Sequence, residues 1–489
     1  MGIQSVKTQI IRPLEPLERD IMSVYSLIYE PLIRINDEYL PEPCLAESWF
    51  PKDDGRTWVF NLRRSARFSD GTPLTAHDVV ATATAILNRA NDELVTDKGF
   101  YGNLRYFVSK ITANDDYTVT VRTPSKRSYY GVLYAMNFPV LQASQVGTDE
   151  PVGSGPYIIA DFAPGKYILL ERNMNWWRTP PQVQQITFQC HDTQRAVVES
   201  YEYGQVNAIF TRSTAAAQYR SGTTSLSLDY RTSQLETLLM NHTYGRLSSR
   251  NVRMAIRYAI DIEALAENVY LGMVTRTDTP MVPGLWTYNN GVSGYFRHDP
   301  DEARRLLAEE GWGDSDENGV LDRVNDEGKK VELAMNLLVY EEPDNDVRIQ
   351  AARLIEAQLA QVGIKVTVVT ASYTDVREKL KAGNFHLALA SYSIDPCPDP
   401  GYLLISGNDG NYSRYRSERM TTLCNELRKC VRQDEYQGKL YEIQRVFAED
   451  CPFLCLYYRN GVVLTRLMYT TVRDVREYDL LRGIESFRP

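Results

Sequence analysis

At about 150 residues per domain, a chain of 489 residues has room for about three domains and for cores that need neither disulfide nor metal. Hydrophobic residues make up 43% and charged residues 24%, and no apolar run approaches the roughly 18 residues that cross a bilayer, which excludes a mini-protein and a helical membrane protein. Fifty-four Lys and Arg stand against 63 Asp and Glu, a net charge of −9 with both signs scattered, so a nucleic-acid polyanion is a disfavoured partner.

The first twenty residues, MGIQSVKTQIIRPLEPLERD, carry charge and no apolar h-region, so no signal peptide is visible. That leaves a cytosolic chain or one whose leader lies outside this sequence. In TWVFNLR (57–63) apolar and polar residues alternate behind the turn Asp53, Asp54, Gly55, which is a hairpin signal. Thr75 and Asp78 then form a capping box for a helix carrying Val79, Val80, Ala83, Ile86 and Leu87 at helical spacing. Strands are expected at 116–123, 157–162 and 166–172, the last two joined by the turn Ala163, Pro164, Gly165. After residue 185 strands alternate with long helices: QQITFQC, RAVVESYEYG, NAIF, then VELAMNLLV, RIQAARLIEAQLAQVG, IKVTVV. Such alternation argues for α/β units with largely parallel sheets, and Gly363 supplies the stop of the second long helix. The polar stretch 311–330 reads as a surface insertion.

Thirty-two tyrosines are the most unusual count. Tyrosine pairs a flat apolar face with a hydrogen-bonding tip, which suits a wet ligand cleft as well as a half-buried strand. Seven cysteines (Cys44, Cys190, Cys397, Cys424, Cys430, Cys451, Cys455) are too few for a disulfide scaffold, and an odd number cannot all pair internally. Cys451 and Cys455 stand four apart with no second pair and no flanking His, so no metal site follows from them. No enzyme motif is present: there is no GxSxG elbow about Ser154, no Walker loop, no GxGxxG after a strand and no HExxH. The five histidines (His77, His191, His242, His298, His386) are far apart in sequence. No catalytic residue, cofactor or resident metal is expected.

In order along nearly the whole chain stand IYEPLI (28–33), LAESWFPKDDGRTWVFNLRRSARFSDGTPLTAHDVV (45–80), PVGSGPY (151–157), LLERNMNWW (169–177) and AVVESYEYGQVNAIF (196–210). RNVRMAIRYAIDIEAL (250–265), HDPDEARRLLAEEGW (298–312), LIEAQLAQVGIKVTV (354–368), NYSRYRSERMTTL (411–423) and AEDCPFLCLYY (448–458) follow. In this the chain resembles the extracytoplasmic solute-binding proteins, family 5, the oligopeptide-, dipeptide- and nickel-binding components of ABC importers. The resemblance implies a type II periplasmic-binding-protein-like α/β fold, with two lobes of mixed sheets and flanking helices and an extra subdomain in lobe 1. It implies lobe 1 core at 1–38, 172–236 and 459–489, the extra subdomain at 39–171 and lobe 2 at 237–458, with hinge crossings near 234–240 and 455–458. It further implies an extracytoplasmic monomer, periplasmic or lipid-anchored, that captures peptide between the lobes and presents it to a membrane permease.

Candidate ligand residues follow from the same resemblance. Asp395, just after the strand LALASYS, occupies the place of an Asp that pairs with a peptide's α-ammonium in relatives. On pattern alone a loop Asp capping a turn before Pro396 explains it better, and Asp399 is the second choice. Tyr392, Trp286, Tyr288, Tyr25, Phe100 and Tyr101 are aromatic candidates, each also explicable by packing. Dipeptide-selective relatives clamp the ligand carboxylate with an Arg just before the helix that here reads IQAARLIEAQL; Tyr340, Glu341 and Glu342 stand there, which favours longer peptides bound through their backbone. Asp314, Asp316, Asn318, Gly319 and Asp322 match positions of a calcium loop, but Asn325 stands where a bidentate Glu is needed, and a solvated turn is the better explanation. A sugar or nickel-chelate receptor on the same fold, or a peptide-sensing signalling component, remains the alternative.

Overall fold

The computed structural model describes the chain apart from residues 6, 17, 96–97, 125–129, 221–224, 296, 326, 343–344, 395–396, 467–475 and 485–489. Its residues fall into two compact units, the first made of Met1–Thr232, Arg428–Gln433 and Asn460–Pro489, the second of Ser233–Leu427 and Asp434–Arg459.

The first unit contains, in order, β1 (Gly2–Gln4), α1 (Arg19–Tyr25), β2 (Ala46–Lys52), β3 (Thr57–Leu62), α2 (Ala76–Asn91), β4 (Lys110–Asp115) and β5 (Thr118–Arg122). β6 (Tyr157–Ala163), β7 (Tyr167–Arg172), β8 (Gln185–His191), α3 (Gln194–Glu202) and β9 (Ala208–Thr211) follow. Strands β2, β3, β5 and β4 form an antiparallel sheet in that order, with α2 packed against it. Asp78 Oδ2 accepts from the Thr75 amide at 2.8 Å and from the Thr75 hydroxyl at 3.0 Å, which closes the capping box of α2. The second sheet runs β9, β1, β8, β7, β6. Its β1 is parallel to both β8 and β9, while β7 is antiparallel to β8 and to β6. Beyond residue 185, β8 and β9 both run parallel to β1, and what makes the sheets there mixed rather than largely parallel is the antiparallel pairing of Gln234–Met240 with Leu387–Ser393. The tight turn at Gly165 makes β6 and β7 a hairpin, which can only be antiparallel.

Two of the sequence blocks meet inside this unit. Glu30 of IYEPLI is fully buried, accepts from Trp177 Nε1 at 2.5 Å and lies 3.6 Å from Arg34. Burial raises its carboxyl above the ordinary range, with Arg34 opposing. Ile3, Ile21, Val24, Ile168, Leu170, Phe188, Phe210 and Val463 form the core.

The chain passes into the second unit within β10 (Leu226–Met240). There follow α4 (Arg250–Ala259), β11 (Ala334–Tyr340), α5 (Val347–Ala360), β12 (Lys365–Ala371), α6 (Tyr373–Ala382), β13 (Leu387–Ser393) and α7 (Gln433–Asp450). β14 (Phe453–Thr465) then leads back, its last residues pairing with β9 in the first unit. The sheet of the second unit runs β12, β11, β13, β10: β11 is parallel to β12 and β13, and Gln234–Met240 of β10 is antiparallel to β13. Helix α5 lies on β11 and β12 and buries Ala351, Ala352, Ile355 and Leu359. Gly363 ends it at φ 79°, and a Cβ there would come within 2.6 Å of Leu321, so both backbone hand and space demand glycine. Leu238, Leu337, Val339, Ile355, Leu387 and Leu456 centre this core. The polar stretch 311–330 is not wholly loop: Asp322–Val324 pairs antiparallel with Lys330–Glu332.

Candidate ligand site

In open α/β sheets ligands gather beyond the carboxyl ends of parallel strands. In the second unit those ends are Tyr340, Ala371 and Ser393, and Tyr340 stands opposite Ala371 in register. Antiparallel β10 begins its unit-2 stretch at the same edge, with Gln234 opposite Ser393 and Glu236 opposite Ser391.

The chemistry at this edge centres on Arg348, 2% exposed in the first turn of α5. Its Nη1 and Nη2 donate to the two Glu236 carboxylate oxygens, the second at 2.9 Å. Its Nε and Nη2 donate to Glu342 Oε1 at 3.0 and 2.9 Å, and the guanidinium lies 4.1 Å from the Tyr340 ring centroid. Arg459 approaches Glu342 at 3.8 Å. Burial opposes charge on Arg348, but the attraction of Glu236 outweighs it and keeps the guanidinium charged. Burial likewise opposes the Glu342 carboxylate, and Arg348 and Arg459 hold it below its ordinary range. Two carboxylates and two guanidinia thus balance within one cluster. Gln234 Nε2 extends it, donating to Glu236 Oε1 at 3.0 Å and to Ser391 Oγ at 3.4 Å.

One further tyrosine packs on Tyr340 of this cluster, and others lie elsewhere in the unit. Tyr373 is 60% exposed with its ring 5.4 Å from that of Tyr340, and Tyr402 is 51% exposed. Tyr392 is buried, stacked on Tyr412 at 6.1 Å, and its hydroxyl donates to the Gly410 carbonyl at 2.9 Å. Asp395 lies outside the described residues, directly beyond the end of β13. Asp399 Oδ1 accepts from the Gly401 amide at 2.8 Å, the bond of a turn. Trp286 packs 6.4 Å from Tyr436 while its carbonyl accepts from Gln437 Nε2 at 2.6 Å. Tyr288 is buried, donates to Asp278 Oδ2 at 3.4 Å, and is pushed up to about 12 by burial.

The other candidates belong to the first unit. Tyr25, on α1, is buried edge-on to Tyr29 at 6.0 Å. Phe100 is 38% exposed, with its ring 5.0 Å from Tyr101 and 5.1 Å from Tyr478. The carboxyl ends of β1 and β9 hold a second pair that the sequence alone did not reveal: half-buried Arg212 donates from Nη1 to buried Asp20 Oδ1 at 2.9 Å, and Asp20 Oδ2 accepts from the Gln4 amide at 3.0 Å.

Among the described residues, Asp314, Asp316 and Asp322 are the one group of His, Cys, Asp and Glu placed closely enough to share an ion. Lys330 Nζ fills that place, 2.7 Å from Asp316 and 3.2 Å from Asp322. Asn318, the remaining candidate ligand, turns its side-chain oxygen to the Val320 amide at 2.8 Å. Burial pushes the Cys44 thiol up to about 12 and Cys451 to about 11, so neither is a ready thiolate.

A family model, bacterial extracellular solute-binding proteins, family 5 Middle, matches residues 41–414. The oligopeptide-binding protein AppA of Bacillus subtilis (strain 168) is 24% identical over 465 residues, covering 90% of this chain and 82% of that protein. Heme-binding protein A of Haemophilus influenzae is 24% identical over 474 residues, covering 91% and 84%. The crystal structure of NikA from Brucella suis in complex with Fe(III)-EDTA superposes with a TM-score of 0.83 at 20% identity, over 100% of this chain and 99% of that one. The fold is shared with that structure, and the family model spans most of the chain. This protein belongs to the family 5 bacterial extracellular solute-binding proteins.

Proposed function

We propose that this protein is the extracytoplasmic ligand-capturing subunit of an ABC importer and that its ligands are oligopeptides, bound without chemical change. An oligopeptide-binding protein and di/tripeptide-binding proteins stand among its relatives. The observation that carries the choice of longer peptides is the state of Arg348. Its guanidinium is spent on Glu236 and Glu342, so the terminal carboxylate of a short peptide finds no open partner there. A longer peptide is held by its backbone, whose donors and acceptors are the same whatever its side chains, with tyrosine faces receiving those side chains. In this reading Asp395 receives the α-ammonium. A peptide that binds the closed form better than the open form shifts the population, and the permease reads the closed form. The protein acts as a monomer at the outer face of the membrane.

Calorimetry with a mixed-sequence pentapeptide and its N-acetylated form tests the anchor. Acetylation and Asp395→Asn should each weaken binding about tenfold or more, the loss of one charge-assisted hydrogen bond, and together cost little more than either alone. Unchanged affinity in either arm removes Asp395 from the site.

A further inference from the structure

Three asparagines precede a glycine: Asn290, Asn318 and Asn460. At such a step the glycine nitrogen can close a five-membered ring on the asparagine side-chain carbon with no Cβ in the way, so what separates the three is their surroundings. Asn460 and Gly461 lie inside β14, where the strand holds the backbone extended and Gly461 is buried against the Tyr230 ring. Asn290 is exposed but opens a short helical turn, Asn290–Tyr295, and the Gly291 amide donates to the neutral side-chain oxygen of Asn289 at 2.9 Å.

Asn318 stands differently. It is exposed, and Gly319 follows it in the left-handed region at φ 84°. The Asn318 side-chain oxygen accepts from the Val320 amide at 2.8 Å, and the Gly319 amide donates to Asp314 Oδ2 at 2.9 Å. A donor on the carbonyl oxygen and a carboxylate on the nucleophile's proton are the two aids that acyl transfer uses. The Asn318 amide donates to Asp314 Oδ1 at 3.1 Å, which holds the carboxylate in that place.

We propose that Asn318 is a self-modifying site that deamidates through a cyclic imide, with Asp314 as the base and the Val320 amide as the donor to the developing oxyanion. Asp314 takes the Gly319 proton, the bond from Gly319 N to Asn318 Cγ forms, and the Cγ–Nδ2 bond breaks as Nδ2 leaves with a proton as ammonia. Water then adds to either carbonyl of the ring and opens it, giving aspartate or isoaspartate at position 318. Each product adds one carboxylate to the loop of Asp314, Asp316 and Asp322, where Lys330 bonds the last two. The site stands on one loop of the second unit and does not depend on what the importer carries.

The intact protein is kept at neutral pH and sampled over days, and its peptides are read by mass spectrometry with electron-transfer fragmentation, which separates aspartate from isoaspartate. Asn318 should convert about tenfold faster than Asn290 or Asn460. Asp314→Asn, which removes the base, should slow conversion at 318 about tenfold or more. Asp316→Asn takes the same charge from the same loop but leaves both reacting groups their partners, and should leave the rate unchanged. An intact Asn318 in aged protein, faster conversion at Asn290 or Asn460, a rate untouched by Asp314→Asn, or equal slowing by the two substitutions overturns the assignment.

Discussion

Arg348 and Glu236 stand 112 positions apart in sequence and are both 2% exposed, which makes the pair a severe test of how this unit balances charge. Removing Glu236 leaves two guanidinia, Arg348 and Arg459, to share the Glu342 carboxylate, so Glu236→Gln should lower unfolding free energy by up to about 3–5 kcal/mol in urea titrations. Replacing both, as Glu236→Leu with Arg348→Met, should cost less than the single change, because the cluster stays neutral with Glu342 left to Arg459. His242 makes a second residue-scale prediction. Its Nε2 lies 2.8 Å from the Pro452 carbonyl, and burial, with Arg253 adding to it, lowers its pKa from 6.5 to about 4. The unfolded chain therefore takes up this proton first as pH falls. The contribution of His242 is intact above pH 6.5, declines between 6.5 and about 4, and is flat below. The loss across that window is at most about 3 kcal/mol, and His242→Gln should remove that part of the pH slope in urea melts.

At the scale of elements, the hairpin of Asp322–Val324 and Lys330–Glu332 carries its own cation. An ammonium between Asp316 and Asp322 does what an ion would do, and it displaces one. Calcium should leave the melting temperature of the wild-type protein unchanged, whereas Lys330→Met should lower it and make it rise with added calcium; a calcium response in the wild type would contradict this reading. What was legible in the sequence were features whose cause is local. The capping box at Thr75, the glycine stop at Gly363 and the strand ahead of Asp395 all follow from neighbours within a few residues. Lys330 was not legible, because the hairpin that delivers it was read as loop. Nor was Arg348. Tyr340, Glu341 and Glu342 precede it in sequence, while Arg348 sits on the same face of α5 as Ala351, Ala352 and Ile355, and a cation on an apolar face demands a buried carboxylate. That spacing was the available signal, though its partner on β10 is set only by tertiary pairing.

For the whole molecule, a net charge of −9 goes with two units, each built on a core of its own. Each unit places a guanidinium–carboxylate pair at the carboxyl ends of its parallel strands, half-buried Arg212 with buried Asp20 and buried Arg348 with buried Glu236. Such pairs fix the edges as rigid, internally neutral frames, which leaves selection to aromatic faces and backbone groups. Under the proposed function, a frame of this kind selects for the repeating features of peptides rather than for one side chain. Saturating peptide at about 100 times its Kd should raise the unfolding free energy by about 2.7 kcal/mol. The most direct test is native mass spectrometry of freshly purified protein, followed by denaturation and sequencing of what it carried. The account predicts peptides of narrow length distribution and mixed sequence. A sugar, a haem or a metal chelate in their place, or protein that stays empty when offered such peptides, would contradict it.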